Sequence, residues 1–226
     1  MNMKTRELTL TAVLSAIVLV MALVPNFGFI NVNAFVGFTI IHIPILVGAY
    51  YGGRKVGGFL GALFGITSLF VAFTRPTSLL DPVFTNPIVS VLPRFLIGFF
   101  AYDVLKFFRK LVSNEFLQNG LFFGVMTLFH SLLVIPLMYI VAKNNWFFDV
   151  YDVLNRVLET EVGAELTQAD TIGTIDFIAS YFLSSGTIFG FIATIFIFNS
   201  LLEIAVAIVV GVPVANRLNV VLNNQE

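Results

Sequence analysis

Arg94 is the residue whose surroundings most need a chemical explanation. It stands in Val91-Leu92-Pro93-Arg94-Phe95, within a long apolar stretch. A guanidinium at membrane depth is costly unless it is paired, hydrated or able to snorkel to the interface. Two readings follow. One is a clamp for an anionic group, such as a carboxylate, in a pocket open to the outside. The other is a snorkelling side chain near the outer interface. Pro93, read as a local disturbance of the helix, tilts the choice toward a shaped pocket.

The other polar residues in apolar runs are few enough to weigh singly, because lipid cannot hydrogen-bond them. His42, in Ile40-Ile41-His42-Ile43-Pro44, would cap a ligand or bond a backbone carbonyl freed by Pro44. His130 and Asn199 fall near the centres of their runs, and packing between helices accounts for either of them as well as ligand contact does. Glu203, one turn past Asn199, is expected paired or protonated toward the cytoplasmic side, with ion coupling as the functional alternative. Asn31 and Asn33 lie on a loop that would close over a small ligand or merely connect. Arg75, Thr77, Phe84 and Asn86 would form the opposite rim, or simply a turn.

Several chemistries are missing from the sequence. It contains no phosphate-binding glycine loop, no His-Glu-x-x-His, no nucleophile elbow and no cysteine. No catalytic residue, cofactor or metal site is therefore expected. His42, His130 and Glu203 are read at three different depths, which argues against an intramembrane enzyme. A self-sufficient secondary transporter would need more buried acids and usually an internal repeat, and none is visible. A purely structural scaffold subunit would need neither Arg94 nor ligand-capping loops.

The elements that position these residues must be membrane helices. Of 226 residues, 58% are apolar and 11% charged, less than half the charge that usually covers a soluble domain. A net charge of −1 gives no reason to expect nucleic acid. Spans of about 20 apolar residues are read near Glu7–Pro25, Thr39–Tyr51, Val56–Phe73, Ile88–Phe108, Gln118–Val141 and Ser185–Pro213. The chain is thus expected to be one all-α membrane domain over 1–226, with six transmembrane helices. The first run is read as a retained helix because Pro25-Asn26-Phe27 is a poor signal cleavage site.

The connections are also legible. Tyr51-Gly52-Gly53-Arg54-Lys55 reads as a tight cationic turn, and Arg75–Pro87 as a proline-rich loop. The polar segment at about 144–184 holds seven acids, and around Phe148–Leu158 it could form an interfacial helix. With the N-terminus inside, eight cations fall on the cytoplasmic side and four outside, so both termini are expected in the cytoplasm. Gly57, Gly58, Gly61 and Gly65 form a small-residue stripe in the third run. Ala12 and Ala16, with Ser15 beside them, form a weaker one in the first.

These features resemble the substrate-binding membrane subunit, or S-component, of energy-coupling factor (ECF) vitamin transporters. The resemblance is carried by the size, the six spans, Ala12-x-x-x-Ala16, and the run from Asn33 through Ser68. In that run Gly53-Arg54-Lys55-Val56-Gly57 has Arg where the family commonly has proline. The resemblance implies a high-affinity vitamin-binding subunit in the prokaryotic plasma membrane. It also implies a transmembrane coupling protein docked at Ala12 and Ala16, with two cytosolic ATPases supplying the hydrolysis. Delivery would follow toppling of the subunit in the bilayer. The Ile40-Ile41-His42-Ile43-Pro44 segment looks most like the pantothenate-specific group. Arg94 would then hold the carboxylate, while Asn33, His42, Asn86 and Asn199 serve the polar remainder, with His130 and Arg75 nearby. Riboflavin and folate remain alternative ligands.

Overall fold

A computed structural model of the protein describes residues 3–31, 37–75, 81–144 and 199–223. The chain enters through helix α1 (Met3–Leu23), which ends just before Pro25. A short antiparallel hairpin of β1 (Phe29–Asn31) and β2 (Gly37–Thr39) follows, with Phe29 opposite Thr39. Helix α2 (His42–Thr74), α3 (Pro87–Ser90), α4 (Leu92–Leu111), α5 (Glu115–Asn144) and α6 (Leu201–Asn223) complete the described elements, with a 3-10 turn at Asp81–Thr85 before α3. Asn33, Thr77 and the acidic segment at 145–184 lie outside the described residues.

Helix α2 is not one rod. Gly53 has φ 72° and ψ −166°, a left-handed conformation open to glycine at little cost. The chain reverses there. A Cβ on Gly48 would lie 2.3 Å from the Leu60 Cδ1, and one on Gly57 would lie 2.6 Å from the Ala49 Cβ. In a straight helix twelve residues would hold Gly48 and Leu60 about 18 Å apart. Residues 42–52 and 54–74 are therefore two antiparallel arms around the expected glycine turn. The first arm extends about 16 Å, roughly half the hydrocarbon thickness.

Among the described residues, four helices are long and apolar enough to cross a bilayer: His42–Thr74, Pro87–Leu111, Glu115–Val141 and Leu201–Val220. The first of these contains both arms, and Glu7–Leu23 is a shorter apolar helix. Together with the family membership established below, this makes the chain a membrane protein.

Glycine sets the closest packing. Ideal Cβ atoms on Gly57 and Gly98 would lie 2.2 and 2.0 Å from each other's carbonyl oxygens, so the long arm of α2 and α4 touch backbone to backbone. Close approach of this kind substitutes dispersion contact for a hydrophobic drive that lipid cannot supply. On either side of that contact, Leu60, Phe64, Ile97, Ala101 and Leu105 are buried with Phe122, Phe123 and Met126 from α5. A second, smaller core of Val83, Val89, Val134, Met138 and Val141 fastens the 3-10 turn and α3 to α5.

One end of the bundle is tied by polar side chains. The Tyr51 hydroxyl donates to the Ala215 carbonyl at 2.6 Å, and Asn219 Nδ2 donates to Glu115 at 2.7 Å and to the Tyr50 hydroxyl at 3.1 Å. Arg54 pairs with Asp103 at the surface beside the turn. The opposite end carries the hairpin, Arg75 and α3.

Candidate functional site

The site is built where the short arm of α2 begins. Asn86 caps α3 by accepting from the Ile88 N–H at 2.9 Å, and Pro87 occupies a first-turn position. Pro93 likewise sits in the first turn of α4, where the missing N–H is an orphan anyway. The local disturbance expected of Pro93 is present: Val91, between α3 and α4, keeps helical dihedrals, and the N–H that Pro93 lacks leaves the Val89 carbonyl without its helical donor.

Arg94 is 3% exposed and lies in the first turn of α4. Its Nη1 donates to the Val89 carbonyl, and its guanidinium carbon lies 4.7 Å from the Phe84 ring centroid and 5.5 Å from that of Phe64. Two aromatic faces thus hold the cation. Its Nε–H has no hydrogen-bond partner among the described residues. The side chain is enclosed in the protein and does not snorkel.

His42 and His130 meet beside it. Their rings stack at 6.0 Å between centroids with 23° between planes, and both residues are buried. None of the four ring nitrogens has a hydrogen-bond partner among the described residues. The carbonyl expected beside His42 is not one freed by Pro44, which lies in the first turn of α2, where the Ile40 carbonyl accepts from the Ile43 N–H at 3.1 Å. It is the Thr39 backbone that lies against the ring, short of full hydrogen-bond geometry. A buried polar atom usually finds a partner, and here Arg94 Nε, four imidazole nitrogens and Asn199 Oδ1 lack one.

Glu203 closes the ring. Its Oε1 accepts the Thr39 N–H at 2.9 Å, the Ser131 hydroxyl lies beside it, and it interacts electrostatically with Arg94 without forming an ion pair. The placement of His42, His130 and Glu203 at three depths is overturned, since the first two stack and all three surround Arg94. The physical reason is the short arm. Because α2 rises only from Gly53 to His42, His42 lies at mid-height, level with the middle of α5. Glu203 is corrected too. It stands sixteen positions from Asn219, at the end of α6 facing the hairpin, remote from the polar network expected to be cytoplasmic.

The remaining expected residues divide. Asn199 lies just before α6, four positions ahead of Glu203, in a π-helical turn. Asn86 is buried, with its oxygen engaged in capping. Arg75 donates to the Leu23 carbonyl at 3.0 Å, bracing the end of α1 and not joining Arg94. Ala12 and Ala16 are exposed on α1, on the face away from α2. Thr39 and Ser131 were not singled out in the sequence. Their signal was adjacency, one beside His130 and the other at the entrance to the His42 segment.

The arrangement presents one buried cation, a row of uncommitted imidazole nitrogens and an amide oxygen. Such a set suits a small monoanion carrying further hydrogen-bonding groups: the fork binds a carboxylate, and the imidazoles and amide take hydroxyls or an amide.

Comparison with known proteins agrees with this chemistry. A model of the family described as "ECF transporter, substrate-specific component" matches residues 6–215. A protein of Leuconostoc mesenteroides subsp. mesenteroides named pantothenate transporter PanT is 26% identical over 220 residues, covering 96% of this chain and 94% of its own. A pantothenic acid transporter PanT of Lactococcus lactis subsp. cremoris is 27% identical over 185 residues, covering 76% of this chain and 91% of its own.

Proposed function

The chain belongs to the family of substrate-specific components of ECF transporters, and on that premise we propose that it is the pantothenate-binding subunit of such an importer. The observation that carries the reading is Arg94, a buried cation whose Nε–H has no hydrogen-bond partner among the described residues, beside the imidazoles of His42 and His130, whose nitrogens have none among them either. Pantothenate has one carboxylate, an amide and two hydroxyls. Its carboxylate would pair with Arg94, and its neutral polar groups would meet His42, His130 and Asn199. The names of the two relatives support the same ligand. Asn33 and Asn86 would contribute from the loops, and Arg75 would brace the rim.

In this reading six spans cross a prokaryotic plasma membrane with both termini cytoplasmic. The exposed Ala12 and Ala16 dock on a transmembrane coupling protein. Two cytosolic ATPases hydrolyse ATP, and the loaded subunit topples to release its vitamin inward.

Thermal unfolding of the detergent-purified chain against pantothenate, riboflavin and folate tests the proposal. A ligand at a hundredfold excess over its Kd stabilises the folded state by about 2.7 kcal/mol. An upward shift with pantothenate alone is expected. A shift with riboflavin or folate instead would keep the binding-subunit reading and replace the vitamin. No shift with any of them would reject the assignment.

A further inference from the structure

The geometry points to Glu203 as a positioning residue that fastens the corner Thr39–His42 to α6 and so holds the His42 ring in the ligand site. The inference deepens the pantothenate reading and rests on it for its functional readout.

Three bonds define the corner. The Thr39 hydroxyl donates to the Gly28 carbonyl at 3.2 Å and accepts from the Ile41 N–H at 3.3 Å, and the Ile40 N–H returns to Gly28 at 3.0 Å. All three are local to the hairpin and its exit. The Thr39 N–H points the other way, to Glu203 Oε1 at 2.9 Å, across 164 positions of sequence. That bond ties the corner to α6. His42 follows three residues later and begins α2, with its ring against His130. Rotation of the corner therefore moves His42 relative to His130 and Arg94.

Glu203 is unusual for a residue in a membrane chain. It is 8% exposed and makes no ion pair among the described residues, although Arg94 is close enough to interact through space. A carboxylate used only for packing would be costly at this position. As an acceptor it satisfies the buried Thr39 N–H, which the protein would otherwise leave unpaired at this point. It lies near Arg94, whose Nε–H has no partner among the described residues.

Two variants separate these contributions. Glu203→Gln retains an oxygen to accept from Thr39, and Glu203→Leu removes it. The dissociation rate of pantothenate and the hydrogen exchange of the Thr39 amide are read in the detergent-purified full chain. Leaving the buried Thr39 N–H without an acceptor predicts a dissociation rate roughly ten- to a hundredfold faster in Glu203→Leu. Thr39 exchange accelerates with it, and Glu203→Gln restores both. Wild-type exchange at Thr39 or a dissociation rate unchanged in Glu203→Leu overturns the proposal. Equal impairment of both variants overturns it as well, because charge rather than the bond would then matter.

Should Glu203→Leu not fold, the wild-type chain supplies the test. Its Thr39 amide must be protected to the level of its Ile40 neighbour, and rapid exchange there refutes the latch. Exchange is read without ligand. A wild-type chain that binds no pantothenate therefore defeats the functional reading, while the Thr39 result still decides the latch.

Discussion

Gly61→Ala is the sharpest perturbation of the scaffold behind Arg94. A Cβ at Gly61 would lie 2.1 Å from the Arg94 carbonyl oxygen, 2.9 Å from its carbonyl carbon and 3.2 Å from the Phe95 Cα. All three neighbours are backbone, so no side chain can swing aside. Ordinary contact lies near 3.5 Å, and α4 must therefore retreat by about 1 Å. Overpacking of this kind costs about 1–3 kcal/mol, offset by about 1 kcal/mol of helix propensity gained on replacing glycine. We expect a net destabilisation of up to about 2 kcal/mol in thermal unfolding. Because the displaced segment carries Arg94, pantothenate should also bind about tenfold more weakly, the equivalent of roughly one hydrogen bond. Gly58→Ala is the control. Its Cβ would meet the Phe95 and Phe99 rings at 3.4 Å, an ordinary contact, and binding should survive. Calorimetry of both variants decides the matter. Wild-type melting and affinity in Gly61→Ala would refute the claim that this close approach sets the position of Arg94.

Other substitutions probe separate parts of the molecule. Gly120→Ala has nothing within 4 Å of the added Cβ, so thermal unfolding should show a gain of up to about 1 kcal/mol. Tyr51→Phe removes bonds to the Ala215 carbonyl and Asn219 and should cost about 1–2 kcal/mol in the same assay, with pantothenate affinity unchanged. Ala12→Trp and Ala16→Trp lie on an exposed face of α1. They should abolish co-purification with the coupling protein and leave vitamin binding intact, and the reverse result would remove these residues from the docking face.

Much of the architecture was legible because lipid imposes simple rules. Apolar runs located α1, α4 and α5 to within a few residues, and Tyr51-Gly52-Gly53-Arg54-Lys55 announced the reversal that Gly53 makes. Arg94 stood out because a cation in an apolar run needs a partner. What the sequence hid was depth. Counting residues from the ends of presumed spans ignores that the arm of 42–52 is half-length, and so it separated His42 from His130 although their rings stack. The same count sent Glu203 toward the wrong end, because its bond to Thr39 joins residues 164 positions apart and no local pattern records that. Pro93 was legible as a disturbance, since a proline four residues after Val89 must leave that carbonyl without its helical donor, but nothing local showed that Arg94 itself would take it.

The central claim, that Arg94 receives a carboxylate, is tested most directly by comparing pantothenate with its neutral alcohol analogue on the wild-type chain and on Arg94→Gln. The two ligands differ only in the group said to meet the guanidinium. A buried charge pair broken on one side loses about 2–5 kcal/mol, so the wild type should prefer pantothenate by about thirtyfold or more. Arg94→Gln should bind both weakly and almost equally. Equal binding of the two ligands by the wild type, or full discrimination surviving in Arg94→Gln, would contradict the account.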